Sequence, residues 1–510
     1  MLRKLPLLFS IVMLVLLVAG QVAAQEATAE PVPGGTLRAA WSAEWVSLDP
    51  HLSSAGSSFA VLANVIEALT DYNDDMDLVG ELATSWEQSE DGLTWTFHLR
   101  EGVQFSNGRE FTADDVVYSF ERIHDPVVGS GDVNNCGGEG ATFAAPDPLT
   151  FTVTTVEPNF ILPVNVAGAA SCAIIAEESV GDDGQIVVPI GTGPFIIDSV
   201  TGTTDMVLVK NPNYWQERLP YLDRVEITVI PESAVRETAL LGGQVDWIMD
   251  PAPQSYEALQ SNPDIVIGEA PQLAYHYVGL NLNREPLNDV RVRQAIAYAI
   301  DRQMICEAGA FGLCTPIHGP TAPGSAWYFD YAPYERDLDR ARELLAEANV
   351  ADGFEMEVMA TSTYEDSVRQ AQVLQQNLAE IGIQVTITTP EFSEWLDREA
   401  AGDFDAFNLS WIALTDANDY FYAQHRTGEV FNFTGYSNPE FDRLVDEGRM
   451  TSDFDERYAI YEQANQILVD EAPYVYFYSP LGLRAYRSTV HGYVTRPDLQ
   501  NNLLNVWIEQ

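Results

Sequence analysis

Residues 91–123 read DGLTWTFHLREGVQFSNGREFTADDVVYSFERI, and three kinds of local order follow one another within them. Asp91-Gly92 is a turn dipeptide. After it Leu93, Trp95 and Phe97 alternate with Thr94, Thr96 and His98, the period of two that lines one face of a strand. Thr112-Ala113-Asp114-Asp115 has the form of a helix capping box, and Val116, Val117 and Phe120 continue with helical spacing. The stretch therefore predicts strand, turn and helix.

The same interleaving continues along the chain and indicates an α/β or α+β architecture, of which α/β is the expected class. Val225, Ile227 and Val229 alternate as a strand within 222–230, and a helix over 233–241 is closed by Gly242-Gly243. Asn288-Asp289 caps a helix carrying Val292, Ala295, Ile296, Ala299 and Ile300 on one face. A further helix carries Ala341, Leu344, Leu345 and Ala348. A strand at 354–359, a helix through Ala371, Leu374, Leu378 and Ile381, and a strand at Ile383, Val385 and Ile387 then form a βαβ unit. A crossover of that kind requires a partly parallel sheet between about 285 and 475. These apolar stripes read as core.

At the N-terminus, Arg3 and Lys4 precede an apolar run from Leu5 to Val18, and Val22-Ala23-Ala24 is a small-residue cleavage site. Residues 1–24 are read as a cleaved signal peptide for export from the cytoplasm, and 25–35 as a disordered linker. The alternative is a retained anchor, but a spanning helix needs about 20 apolar residues and this run is shorter, ending in Gly20-Gln21. Lipoproteins carry Cys just after their Leu-small-small box, whereas Gln21 follows Val18-Ala19-Gly20; no lipid tether is expected.

The 510 residues allow two or three domains, and 46% hydrophobic content suits a folded protein. Acids outnumber Lys and Arg 76 to 26, giving a net charge of -50, which repels nucleic acid and anionic lipid. Cys136, Cys172, Cys306 and Cys314 allow three pairings; the expected ones are Cys306 with Cys314 and Cys136 with Cys172. Zinc is disfavoured because no two cysteines have the close spacing of thiolate sites. The seven histidines are scattered, and no metal or cofactor is expected.

Further fragments carry a family resemblance. Ser85-Trp86, the run Leu99 to Phe105 and Thr112-Ala113-Asp114-Asp115-Val116 resemble the signature of solute-binding protein family 5, the large extracytoplasmic receptors of ABC importers for peptides, oligopeptides and nickel. Gly34-Gly35-Thr36-Leu37, Ser47-Leu48-Asp49-Pro50, Gly191-Thr192-Gly193-Pro194-Phe195 and Lys210 to Trp215 resemble other fragments of the family in order and spacing. So do Gly279-Leu280-Asn281, Asp289 to Ala295 and Tyr298 to Arg302. Ser106-Asn107-Gly108 stands where the family usually has His-Asp-Gly.

The resemblance implies a two-lobed periplasmic-binding-protein fold, class II-like and of cluster C type, with an extra inserted domain. On this chain it places lobe one at 36–80, 190–284 and 478–510, the inserted domain at 81–189 and lobe two at 285–477. It implies a monomeric receptor outside the cytoplasm, with a small-molecule or peptide ligand and ABC permease subunits as partners. Ligand capture would be hinge closure.

The implied ligand contacts are Ser54, Ala55 and Gly56 on one side and Trp411, Ile412 and Ala413 on the other, where small residues allow close backbone approach. Trp411 with Asp416, Asp419 and Tyr420 would make an apolar wall beside hydrogen-bond acceptors. Peptide-binding relatives usually place an aspartate three residues after this tryptophan to hold the ligand ammonium; here Leu414 stands there. Asn408 occupies the position of a carboxylate-binding arginine. These departures leave a neutral oligosaccharide or other polar organic ligand as the alternative to a peptide, with aromatic supply at Trp41, Trp45, Trp395, Trp411 and Tyr420; a metal chelate is a weaker variant. No G-x-S-x-G, H-E-x-x-H or P-loop occurs, which argues against a hydrolase.

Overall fold

The computed structural model describes residues 30–53, 56–168, 172–412, 416–429, 431–498 and 500–509. The proposed signal peptide, and with it Ser54, Ala55, Ala413 and Leu414 among the expected contacts, lies outside the described residues.

Strand alternation and helix caps build two mixed sheets. The first runs from Phe195–Thr201 through Asp205–Lys210, Arg224–Val229 and Thr36–Trp41 to Trp247–Met249. Thr36–Trp41 is parallel to both of its neighbours. The second runs from Gln384–Thr388 through Glu355–Met359 and Ala406–Ile412 to Ala274–Leu280. Its first three strands are parallel, as the βαβ reading requires.

One strand of 14 residues, Tyr474–Arg487, belongs to both sheets: it pairs with Ala274–Leu280 through its first half and with Ile265–Pro271 and Trp247–Met249 through its second. The other crossing is the short link from Pro271 to Ala274. Gln272 N–H donates to Pro480 O at 2.9 Å and Ser479 Oγ to Gln272 O at 3.0 Å, so the two crossings are tied to each other. This corrects one expected boundary: Ala274–Leu280 pairs with Ala406–Ile412 across seven residues, and therefore belongs with lobe two. The crossing falls at 272–273, not at 284. A break in hydrophobic pattern cannot mark such a crossing, because the chain remains extended and buried on both sides of it.

Between 81 and 189 a four-stranded antiparallel sheet is ordered Ala83–Gln88, Thr94–Leu99, Thr150–Thr154, Thr142–Asp147. Trp95 and Phe97 are buried as the alternation predicts, Leu93 is half-buried, and Val116 and Phe120 of helix Ala113–His124 close the core above them. Thr112 N–H donates to the Asp115 carboxylate at 2.9 Å, one arm of the expected capping box. Disulfides join Cys136 to Cys172 and Cys306 to Cys314, with Cα separations of 5.7 and 6.1 Å.

The linker reading needs shortening. Gly34 N–H donates to Tyr221 O at 2.7 Å, and Asp223 N–H donates to Gly35 O at 3.1 Å. Both glycines have positive φ, a conformation other residues rarely adopt, so the chain is docked from Gly34 onward.

Lobe two has unlike cores on the two faces of its sheet. Val278, Val358 and Val475 face helices Val290–Ala299 and Glu365–Ala379, while Tyr275, Tyr277, Tyr474 and Tyr476 face Ala417–His425 and Phe454–Glu471. Glu399 is buried, 5% exposed, and burial pushes its carboxyl up to about 8 from 4.5. The folded state then holds a proton that the unfolded state releases, so this contribution is present below pH 4.5 and is lost as pH rises through 8. Glu399→Gln is expected to gain a few kcal/mol over the parent at pH 9 and almost nothing at pH 4. Urea unfolding of both at the two pH values checks this; equal pH slopes would rule it out.

Candidate functional site

The strand Ala406–Ile412 positions the expected contacts of lobe two, and its pleat separates them. Phe407, Leu409 and Trp411 lie on the aromatic face, whereas Asn408 lies on the other. Asn408 is fully buried; its Nδ2 donates to Gln370 Oε1 at 3.1 Å, and its Oδ1 has no partner among the described residues. Gln370 in turn donates to Tyr478 Oη at 2.5 Å and lies 3.0 Å from His276 Nδ1. His276 is 3.4 Å from Asp366, and burial holds the imidazole below its usual range. Asn408 thus belongs to a polar network under helix Glu365–Ala379, and shares no face with Trp411.

Trp411 is half-buried and packs edge-to-face on Phe431, with ring centroids 5.3 Å apart. Its indole N–H is buried without a partner among the described residues. Ile412 is in register with Ala274. Gly56 is exposed and opens helix Gly56–Leu62, with nothing within 4 Å of an added Cβ. Gly56 is therefore the first residue of a helix, and not part of an extended segment. Ser58 accounts for the helix: it is buried, and its Oγ accepts from Val46 N–H at 3.0 Å and Ser47 N–H at 3.2 Å.

Asp416 is corrected as a ligand acceptor. Its two carboxylate oxygens take Arg457 at 2.6 and 2.5 Å with both side chains buried, and Oδ1 also accepts Asn418 N–H at 2.8 Å as the helix N-cap. A carboxylate so occupied has little left for an ammonium. Tyr420 is likewise corrected: it is fully buried, stacks with Tyr275 and bonds to Ser325. Trp41, Trp45 and Trp395 are buried in the cores as well, so most of the presumed aromatic supply is structural.

Asp419 remains. Burial and then the neighbouring Asp416 charge push its carboxyl up to about 7, opposed by a hydrogen bond from the Asp416 backbone. It lines a cavity of about 760 Å³ together with Glu139, Glu157, Asn165, Asp446 and Arg449. Asp446 is already paired with Arg426 at 2.7 Å. The balance of this compartment is acidic, which suits a cationic or donor-rich group.

A second cavity of about 410 Å³ adjoins it, and Phe160 lines both. One wall comes from Tyr72, Trp86 and Trp95, the other from Trp327, Phe454 and Arg457. Sequence reading missed these aromatics because Trp86 and Trp95 are distant from Trp327 and Phe454 in the chain. The one local signal was Trp95 in the alternating strand, which reads equally well as core.

No helix among the described residues is long and apolar enough to cross a membrane, and no cluster of His, Cys, Asp and Glu among them could hold a metal. The family model of bacterial extracellular solute-binding proteins, family 5 Middle, matches residues 77–432. The glutathione-binding protein GsiB of Escherichia coli K12 is 27% identical over 466 residues, covering 89% of this chain and 91% of its own. Helicobacter pylori DppA, a periplasmic binding protein in complex with peptide STSA, is 29% identical with a TM-score of 0.76, covering 94% of this chain and 99% of its own. AgaA of Agrobacterium tumefaciens R10, in complex with agropinic acid, is 28% identical with a TM-score of 0.74, covering 93% and 99%.

Proposed function

Because the chain belongs to family 5 of the bacterial extracellular solute-binding proteins, we propose that it captures a peptide-class ligand between its two lobes and delivers it to the permease of an ABC importer. Proteins of this family are binding proteins rather than enzymes. The observation that carries the reading is the pair of tied crossings at 272–273 and 479–481, a hinge about which the two sheets can close on a ligand. GsiB and DppA, both similar over most of their length, supply the ligand class. The receptor acts as a monomer outside the cytoplasm, released by cleavage after residue 24.

Native mass spectrometry of protein purified without denaturation identifies the ligand it carries, and small-angle scattering with that ligand should show compaction. An unchanged radius of gyration in a verified complex would sink hinge closure. If the ligand presents an ammonium, Asp419 is the acid that receives it. Since its carboxyl stands at about 7, an ammonium must displace its proton, and affinity should rise by about tenfold per pH unit below 7 and level off above. Asp419→Asn should weaken binding by about 2–5 kcal/mol at pH 8 and flatten the profile. Equal affinities and pH profiles in parent and variant would remove Asp419 from the site.

A second reading, a non-peptide polar organic ligand, is favoured by the commitment of Asp416 to Arg457 and by the likeness to AgaA with its agropinic acid. In that case Asp419→Asn costs much less, because an amide retains a hydrogen-bonding oxygen.

A further inference from the structure

The aromatic cavity differs in kind from the acidic one beside it. Its buried charges, Asp416 and Arg457, neutralise one another at 2.5 Å, and Arg457 also lies over the Trp327 ring at 4.9 Å, while the third charged lining residue, Asp77, is exposed to solvent. Trp95 Nε1 is satisfied by Asn159 O at 2.6 Å, so that indole presents carbon, not a donor. Trp86 and Phe160 from the inserted domain and Phe454 from lobe two are among the other lining residues. Phe454 is 50% exposed, although it opens a helix whose other aromatics are packed.

Such a space disfavours an ion and favours an apolar group of ring size; about 410 Å³ is enough for one or two aromatic side chains. Two features connect it with the ligand cleft. Asp416 lies a few residues beyond Trp411, and Leu273, which also lines the cavity, lies on the crossing. A group filling it touches both bodies that the hinge moves, so its burial adds to the closed state.

We infer that this cavity is a side-chain compartment of the binding site that takes an aromatic residue of the ligand, making the inserted domain a determinant of specificity. The inference rests on the peptide reading above. A ligand whose ring fills the aromatic compartment reaches the acidic compartment with its polar part past Phe160, the residue common to both.

The test is calorimetric titration of the full mature chain with Ala-Ala-Ala and with the three tripeptides that carry one Phe at each position in turn. At least one Phe peptide should bind about tenfold or more tightly than Ala-Ala-Ala, the effect expected from burying a phenyl ring. Trp86→Ala and Phe454→Ala should each reduce that preference about fivefold or more, while the affinity for Ala-Ala-Ala changes by less than about threefold. Phe454 is exposed enough that its variant should fold even if Trp86→Ala does not. Binding of all four peptides without preference, or a preference unchanged in the Phe454 variant, overturns the inference and leaves the peptide reading intact. Failure of all four to bind overturns the peptide reading, and the inference with it.

Discussion

Arg457→Met is expected to cost about 3–5 kcal/mol of folding free energy, because it leaves the Asp416 carboxylate buried and unpaired. Arg457 is 7% and Asp416 4% exposed at the side chain, and the fork makes two parallel bonds to the carboxylate. Its Nε also donates to Gly448 O at 2.9 Å, joining helix Pro439–Arg449 to Phe454–Glu471 and to the start of Ala417–His425. Lysine cannot reproduce the fork, so Arg457→Lys should recover little. Arg457→Met with Asp416→Leu should recover most of the loss, since neither charge is then stranded. Denaturant unfolding followed by near-ultraviolet circular dichroism measures the three variants. A single-variant loss under about 1 kcal/mol, or a double variant no better than the single, would show that the pair is solvated in solution.

Arg122→Met is expected to have an effect of the same size in the other lobe, again about 3–5 kcal/mol. Arg122 donates to Asp49 Oδ1 at 3.0 Å and Oδ2 at 2.5 Å, and lies 2.9 Å from His51 Nδ1. His51 Nε2 reaches Ala173 O at 2.9 Å. The Leu-Asp-Pro fragment is thereby fastened to the helix of the inserted domain and to the segment following Cys172. Burial, with the Arg122 charge also contributing, lowers the His51 imidazole to about 4, against the pull of its bond to Ala173. This depressed value means that the contribution of His51 is fully present above pH 6.5 and is lost as pH falls towards 4. Without Arg122 the imidazole should titrate higher, which narrows the window below pH 6.5 and shrinks the acid loss that His51 contributes. Nuclear magnetic resonance titration of His51 in the Arg122→Met variant, beside denaturant unfolding at pH 7.5, checks both parts. An imidazole still at about 4 together with unchanged stability would refute the assignment.

Local patterns carried most of the fold. Alternation at Trp95 and Phe97, the caps at Thr112 and Asp289, and the helical stripe through Ala371, Leu374 and Leu378 each reappear as predicted, because each depends on neighbours within one or two turns. Family fragments in fixed order supplied the two-lobed arrangement, which no periodicity could have provided. The boundary at 284 failed for a physical reason: the strand Ala274–Leu280 looks the same whichever sheet it joins, and only its pairing with Ala406–Ile412 assigns it.

The candidate site was less legible. Asp416 and Asp419 read alike in sequence as acids beyond a tryptophan, yet Asp416 meets Arg457 41 residues away and Asp419 does not. Asn408 and Trp411 were both expected to contact the ligand, and the pleat places them on opposite faces. The sequence by itself determined the elements, their order and the family, since these rest on short-range spacing and on ordered motifs. Tertiary structure alone decided which carboxylate is spent in an ion pair and which aromatics meet across the cleft. Those outcomes depend on contacts between distant segments, and a side chain's availability to a ligand is whatever such contacts leave unused.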